Sequence, residues 1–225
     1  MDPIIKLTGM IAEKDCNSVI TKCNKAYLEY ASVRSADKIL GCTDYDLPWE
    51  EGANLYRGHE LDTIKGNIYT VISPVKIKRG NILFLQTKTQ KLDSNGLVCG
   101  VLSHSIEIID PTVYSLIQAL QKNSPFLGQY QPFYLGKKSN TNTIVLPRRQ
   151  EEVLFYLIRG KSAKSIARLM GISFRTVEYY ITILKDKFNC ATKNELIESA
   201  INKGFSQYIP LQENFIMLIE KLKIA

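Results

Sequence analysis

The sequence of 225 residues has no run near the roughly 18 consecutive apolar residues needed to span a bilayer. Its opening stretch, MDPIIKLTGMIAEKD, has no basic flank before a long apolar segment and no small-residue cleavage site. The expectation is therefore no signal peptide, no membrane partner and a cytoplasmic protein. Histidine is scarce: His59 and His104 lie far apart. Cysteine is odd in number (Cys16, Cys23, Cys42, Cys99 and Cys190), and no C-x-x-C pair occurs. Zinc-ligand spacing is absent, and reduced thiols are the expectation. There is no phosphate-cradling glycine loop and no nucleophile–base pair. Ser103-His104-Ser105 reads as a strand end with no third partner. Catalysis and a bound cofactor are not expected.

What the sequence has is a usable core and an uneven charge. Hydrophobic residues make up 45%, too many for a disordered chain. The net charge is +7, and all of the excess lies beyond residue 135. A neutral segment joined to a basic one suggests a polyanion-binding module attached to a part with another task.

The first part alternates helical and strand-like stretches. Asn24–Ser32 and Ala53–Ile64 carry apolar residues at helical spacing. Asn67–Ile77, Ile82–Lys88 and Leu97–Ile109 are rich in β-branched and aromatic residues, and the last is entered through Asp93-Ser94-Asn95-Gly96. Three such runs with tight breaks predict an antiparallel sheet with helices, an α+β unit. Asp110-Pro111 opens a helix predicted to run to Gln121. Residues 122–143 have linker composition. A last amphipathic segment, Leu211–Leu222, follows Gly204.

Residues 146–205 predict four helices, near Arg149–Ile158, Ala163–Met170, a third following Ser173, and Lys193–Asn202. Gly160 ends the first. In the second, Ile166, Ala167 and Leu169 are expected to face inward. Ala167 is small enough for close helix approach. Gly171 permits the positive φ of a turn, Ser173 suits an N-cap, and Val177 packs back toward Ala167. This order and spacing is that of a helix-turn-helix. Val177, Tyr180, Leu184 and Phe188 form the expected buried stripe of the third helix. Glu178, Tyr179 and Thr182 are expected to face base edges. Arg175, Thr176, Lys185, Lys161 and Lys164 are expected to meet phosphates, which give affinity without sequence information.

This segment resembles the LuxR/FixJ family of DNA-binding domains. Leu146, Arg149, Glu152-Val153-Leu154, Gly160, Ser162, Lys164, Ile166-Ala167, Leu169, Ile172-Ser173, Thr176-Val177, Leu184, Lys187, Glu195-Leu196 and Ala200 carry the resemblance. It implies double-stranded DNA as partner, recognition through the third helix, and a homodimer through the fourth, with Glu195, Ile197, Glu198 and Ile201 at the contact. Gln150, Glu178 and Tyr180 depart from the family pattern, so a shared operator does not follow.

Residues 13–110 resemble a PAS domain in Asn24-Lys25-Ala26-Tyr27, in the stretch Ile39 to Trp49 (ILGCTDYDLPW), and in Asp93-Ser94-Asn95-Gly96 with Gly100-Val101. Asp44 and Asp46 suit turn and cap roles. The resemblance implies a small-molecule signal or a partner domain, with Trp49 and His59 as candidate ligand contacts. His59 lies where haem-binding members place an axial histidine, though the ordinary role of such a residue is structural. Cys42, Cys99 and Trp49 read as core. The expected organisation is a sensor unit at 1–110, a linker at 111–145, the helix-turn-helix at 146–205 and a helical extension at 206–225. The competing function is a regulator whose helix-turn-helix binds another protein.

Overall fold

The computed structural model describes residues 9–67, 69–111, 114, 115, 117, 132–135 and 144–210. It divides into two compact units that meet in the sequence at Ile109/Asp110.

The first unit contains β1 (Met10–Lys14), β2 (Ile20–Cys23), α1 (Lys25–Ala31), α2 (Ala53–Ile64), β3 (Tyr69–Ile77), β4 (Gly80–Leu92) and β5 (Val98–Glu107). The strands run β2-β1-β5-β4-β3 with antiparallel pairing throughout, the PAS-like sheet that the sequence led us to expect. The helices cover one face, and Ile20, Tyr27, Ile39, Trp49, Tyr56, Val75 and Phe84 form the core between. Asn24 joins helix to sheet. Its Oδ1 accepts from the Tyr27 and Ile11 amides at 3.0 and 3.1 Å, and its Nδ2 donates to the Gly9 carbonyl at 2.9 Å. This one side chain caps α1, a contribution of about 1 kcal/mol, and also holds β1 in place.

At Gly100 the chains approach so closely that no other residue fits. Its φ is +155°, and an added Cβ would lie 1.9 Å from the Lys14 carbonyl oxygen. The turn before it is tied by Asp93, whose Oδ1 accepts from the Asn95 and Leu97 amides at 2.8 and 2.9 Å.

Several expectations need correction. The pair β1–β2 was not read from residue pattern. Asp46 does cap, accepting from the Thr43 amide and hydroxyl, both at 2.8 Å. Asp44 instead is buried and pairs with Lys14. Ser103-His104-Ser105 lies inside β5 rather than at its end, and alternation puts His104 on the opposite face from both serines. Cys42 and Cys99 are half-buried rather than core.

The second unit contains β6 (Phe133–Leu135), α3 (Arg148–Ile158), α4 (Ala163–Met170), α5 (Phe174–Phe188), α6 (Lys193–Asn202) and β7 (Tyr208–Ile209), with β6 and β7 paired in parallel. Its helices pack through Val153, Leu154, Leu157, Ile166, Val177, Leu184 and Leu196. The carboxylate of Glu152, 3% exposed, accepts from Arg148 Nε at 3.1 Å and Arg149 Nη1 at 3.0 Å. Arg159 stacks on Phe155 and donates to the Ser206 carbonyl, tying the end of α3 to the segment after α6. The buried stripe of α5 is Val177, Ile181, Leu184 and Phe188, while Tyr180 is only half-buried. On α4 the inward residues are Ala163, Ile166 and Ala167, with Leu169 half-buried. Of the helix predicted from Pro111, only residues 111, 114, 115 and 117 are described, and these are helical. The segment Leu211–Leu222 lies outside the described residues, as does most of the predicted linker.

Candidate nucleic-acid interface

The geometry of α4 and α5 follows from three local devices. Ser162 Oγ accepts from the Ser165 amide at 3.2 Å and starts α4. Gly171, at φ +64°, ends it in the left-handed region, and the Ile172 amide returns to the Ala167 carbonyl at 3.1 Å. Ser173 Oγ then accepts from the Thr176 amide at 3.0 Å and starts α5. Two helix ends separated by three residues are thereby fixed in direction without a long loop. Ala167 and Val177, both buried, lie at the crossing.

Opposite the buried stripe of α5 lie Arg175, Glu178, Tyr179, Thr182 and Asp186, all exposed. Tyr179 is 62% exposed and Phe174, at the first turn, 54%. The three predicted base-facing residues therefore share one face with Arg175. Lys164 is exposed and Lys161 half-buried. The other predicted phosphate contacts already have local partners. Thr176 shares a 2.7 Å hydroxyl contact with Ser173 within the cap. Lys185 Nζ donates to the Ala191 carbonyl at 3.3 Å. Arg168, exposed on α4, adds a positive charge that the sequence reading did not single out.

On α6 the core face is Leu196 and Ala200. Ile197 and Ile201 are half-buried one turn apart, with Glu198 exposed beside them. Glu195 points into the start of its own helix. Its carboxylate accepts from the Ala191 amide at 2.9 Å and bonds the Thr192 hydroxyl at 3.0 Å, contacts that lower its pKa.

The first unit has a separate feature, a cavity of about 40 Å³ among Tyr27, Trp49, Tyr56, Gln86, Ser103 and Ser105. Lys14, Asp44 and Lys88 also line it. Lys14 Nζ reaches Asp44 at 2.5 Å and Glu60 at 2.7 Å, and Lys88 Nζ reaches the same Glu60 oxygen at 2.6 Å. Trp49 Nε1 donates to Asp44 at 2.9 Å. Burial alone would raise the pKa of Glu60, but Lys88 and Lys14 outweigh it and hold the group down at about 2. For Lys14, burial is likewise outweighed by Asp44 and Glu60, and its pKa rises. For Lys88, burial wins and its pKa falls. Trp49 lines the cavity. His59 is buried on α2 and is not among the lining residues. Sequence reading missed Lys14, Glu60 and Lys88. A signal existed for Lys88, which shares an inward strand face with Phe84 and Gln86. Among the described residues no three His, Cys, Asp or Glu side chains cluster as a metal site requires, and no helix is long and apolar enough to cross a membrane.

Residues 144–200 match the family described as bacterial regulatory proteins, luxR family. The transcriptional activator protein LuxR of Aliivibrio fischeri is 29% identical over 116 residues, 49% of this chain and 45% of that protein. The chain matches less than half the length of its curated relatives. Among solved structures, the Vibrio cholerae VqmA dimer without target DNA is 30% identical, covering 91% of this chain and 87% of that one, with a TM-score of 0.49. A Vibrio cholerae VqmA–ligand–DNA complex is 30% identical over 91% and 86% of the two chains, with a TM-score of 0.45.

Proposed function

This chain belongs to the luxR family of bacterial regulatory proteins, and from that premise we propose that it is a sequence-specific, homodimeric regulator of transcription that reads duplex DNA with the exposed face of α5. The observation that carries the reading is that face itself: Arg175, Glu178, Tyr179 and Thr182 project together from a capped helix of 15 residues. Such a helix places its N-terminal side chains against base edges in the major groove.

In this reading Glu178 accepts from a cytosine amino group and Tyr179 packs on a thymine methyl. Lys161, Lys164, Arg168 and Arg175 meet phosphates. Ile197, Glu198 and Ile201 form the dimer contact, while Glu195 supports it by fixing the start of α6. Residues 1–110 act as the sensor, 111–145 as the connection, 146–205 as the reader and 206–225 as an extension. A small molecule or partner at the sensor alters dimer geometry and with it the half-site spacing. The protein acts in the cytoplasm and no reaction is assigned to it.

The test is footprinting on genomic fragments retained at two salt concentrations. Two protected half-sites are expected, and Glu178→Ala should relax preference at one base pair by about 1–3 kcal/mol. A protein partner is the second reading, and one observation favours it. The α5 face exposes Phe174 and Tyr179 and sets Glu178 and Asp186 against the single Arg175. Binding to DNA through several phosphates weakens by orders of magnitude between roughly 50 and 200 mM salt. Binding that vanishes with modest salt and protects no site would favour the protein partner.

A further inference from the structure

A row of side chains runs along α5 from its first turn. Phe174 follows the N-cap Ser173 and is the first residue of the helix. It stands four residues before Glu178, which stands four before Thr182, so the three project as one line on the helix surface. Glu178 and Thr182 are exposed, and Phe174 is 54% exposed. The first turn of a helix is where Asp or Glu gains most from the helix dipole, yet α5 has no acid there. Phe174 supplies neither charge nor cap, because Ser173 Oγ already accepts from the Thr176 amide. Its ring does nothing for the start of the helix and faces outward.

Polarity along the row decides what it can read. Thr182 Oγ1 donates to the Glu178 carbonyl at 3.1 Å, so its proton is engaged by the helix backbone. Glu178 supplies a strong acceptor, and the ring before it supplies an apolar surface. The apolar group that a base pair offers the major groove is the thymine C5-methyl. Phosphates are met by cations and hydrogen-bond donors, and a phenyl ring is neither. The N-terminal residues of a recognition helix are those set against base edges. Four residues of helix advance about 6 Å, close to two base-pair steps of about 3.4 Å.

We infer that Phe174 is a specificity-determining residue that packs on the C5-methyl of a thymine, within about two base pairs of the cytosine read by Glu178, in each half-site. The inference rests on the reading of α5 as the DNA-binding helix and adds a base to what that helix reads.

The experiment selects duplexes from a randomised pool with the full chain, with Glu178→Ala and with Phe174→Ala. The preference that Glu178→Ala relaxes marks the cytosine. A thymine should be enriched within about two base pairs of it, and Phe174→Ala should relax that position. Deoxyuridine, which pairs as thymine does but lacks the methyl, then replaces this thymine in one half-site. The unsubstituted chain should bind the replaced duplex about fourfold more weakly, the loss of one buried methyl group. Phe174→Ala should bind the two duplexes equally, whereas Phe174→Leu keeps an apolar contact and should keep the penalty. The comparison on the unsubstituted chain stands whatever Phe174→Ala does to the fold. No enriched thymine near the cytosine, no loss on deoxyuridine, or a loss that persists in Phe174→Ala would each overturn the inference. So would a loss that disappears in Tyr179→Ala and not in Phe174→Ala. An enriched site with any of these results removes only the Phe174 contact. No enriched sequence at all removes the DNA-reading role as well.

Discussion

Glu60 offers the sharpest test of how the first unit is held together. One of its oxygens accepts from both Lys14 and Lys88. Glu60→Gln preserves size and an acceptor but removes the negative charge. Lys14 would still have Asp44, whereas Lys88 would keep only the Tyr56 carbonyl and a neutral amide. Removing one partner of a buried ion pair is destabilising by about 3–5 kcal/mol, and the retained amide oxygen places this case near 3. A small domain has about 5–15 kcal/mol in total, so the loss is large. It should also depend on pH. Burial already holds the Lys88 pKa below its ordinary 10.5, and losing the carboxylate pushes it lower. The folded state then binds fewer protons than the unfolded state between the depressed value and 10.5. Stability of the variant must therefore rise with pH through that window, and its deficit shrink. Urea unfolding followed by Trp49 fluorescence at neutral and alkaline pH reads both effects. The double variant Glu60→Gln/Lys88→Met removes the stranded charge and should recover at least about 2 kcal/mol. A loss below about 1 kcal/mol in the single variant, or no recovery in the double, would refute the network as described.

Acid should weaken the same unit. Because the pKa of folded Glu60 is depressed to about 2 from an ordinary 4.5, its contribution is full above 4.5 and is lost as pH falls toward 2; a urea midpoint that stays flat across that window would contradict this. Gly100→Ala would drive a Cβ into the Lys14 carbonyl and should destabilise the first unit by about 2 kcal/mol or more, read again by Trp49 fluorescence. Ser173→Ala removes the cap of α5 and should lower the stability of the second unit by about 1 kcal/mol, measured by helical circular dichroism on heating; an unchanged midpoint would mean the cap contributes nothing.

The helices of the second unit were legible because their limits are written in local chemistry. The bounds of α4 and α6 match those read from Gly171 and the apolar spacing. The misplacement of Tyr180 has a simple origin. Steps of three and four residues from Val177 both return near the same helix face, about 60° to one side or 40° to the other. Leu184 and Phe188 fit either choice, and the packing of the neighbouring helices selects Ile181. The pair β1–β2 was hidden because its strands have only five and four residues, and the inward position at the end of β1 is a lysine. That lysine makes sense only beside Asp44 and Glu60, residues 30 and 46 positions away. No local window contains such a contact. The first-unit cavity was illegible for the same reason, whereas Glu178, Tyr179 and Thr182 could be placed by helical period alone.

The charge balance on α5 has a consequence for how a regulator of this kind would search a chromosome. Affinity for random sequence comes from phosphate neutralisation, and this face has Glu178 and Asp186 against one arginine, with the nearby positive charge displaced onto Lys164 and Arg168 of α4. Dwell times on wrong sequence would be short. Many more sites could then be sampled per unit time, and less of the cellular supply would sit idle on bulk DNA. Occupancy of the right site would depend on its contacts with bases, because a backbone held loosely everywhere gives no site an advantage.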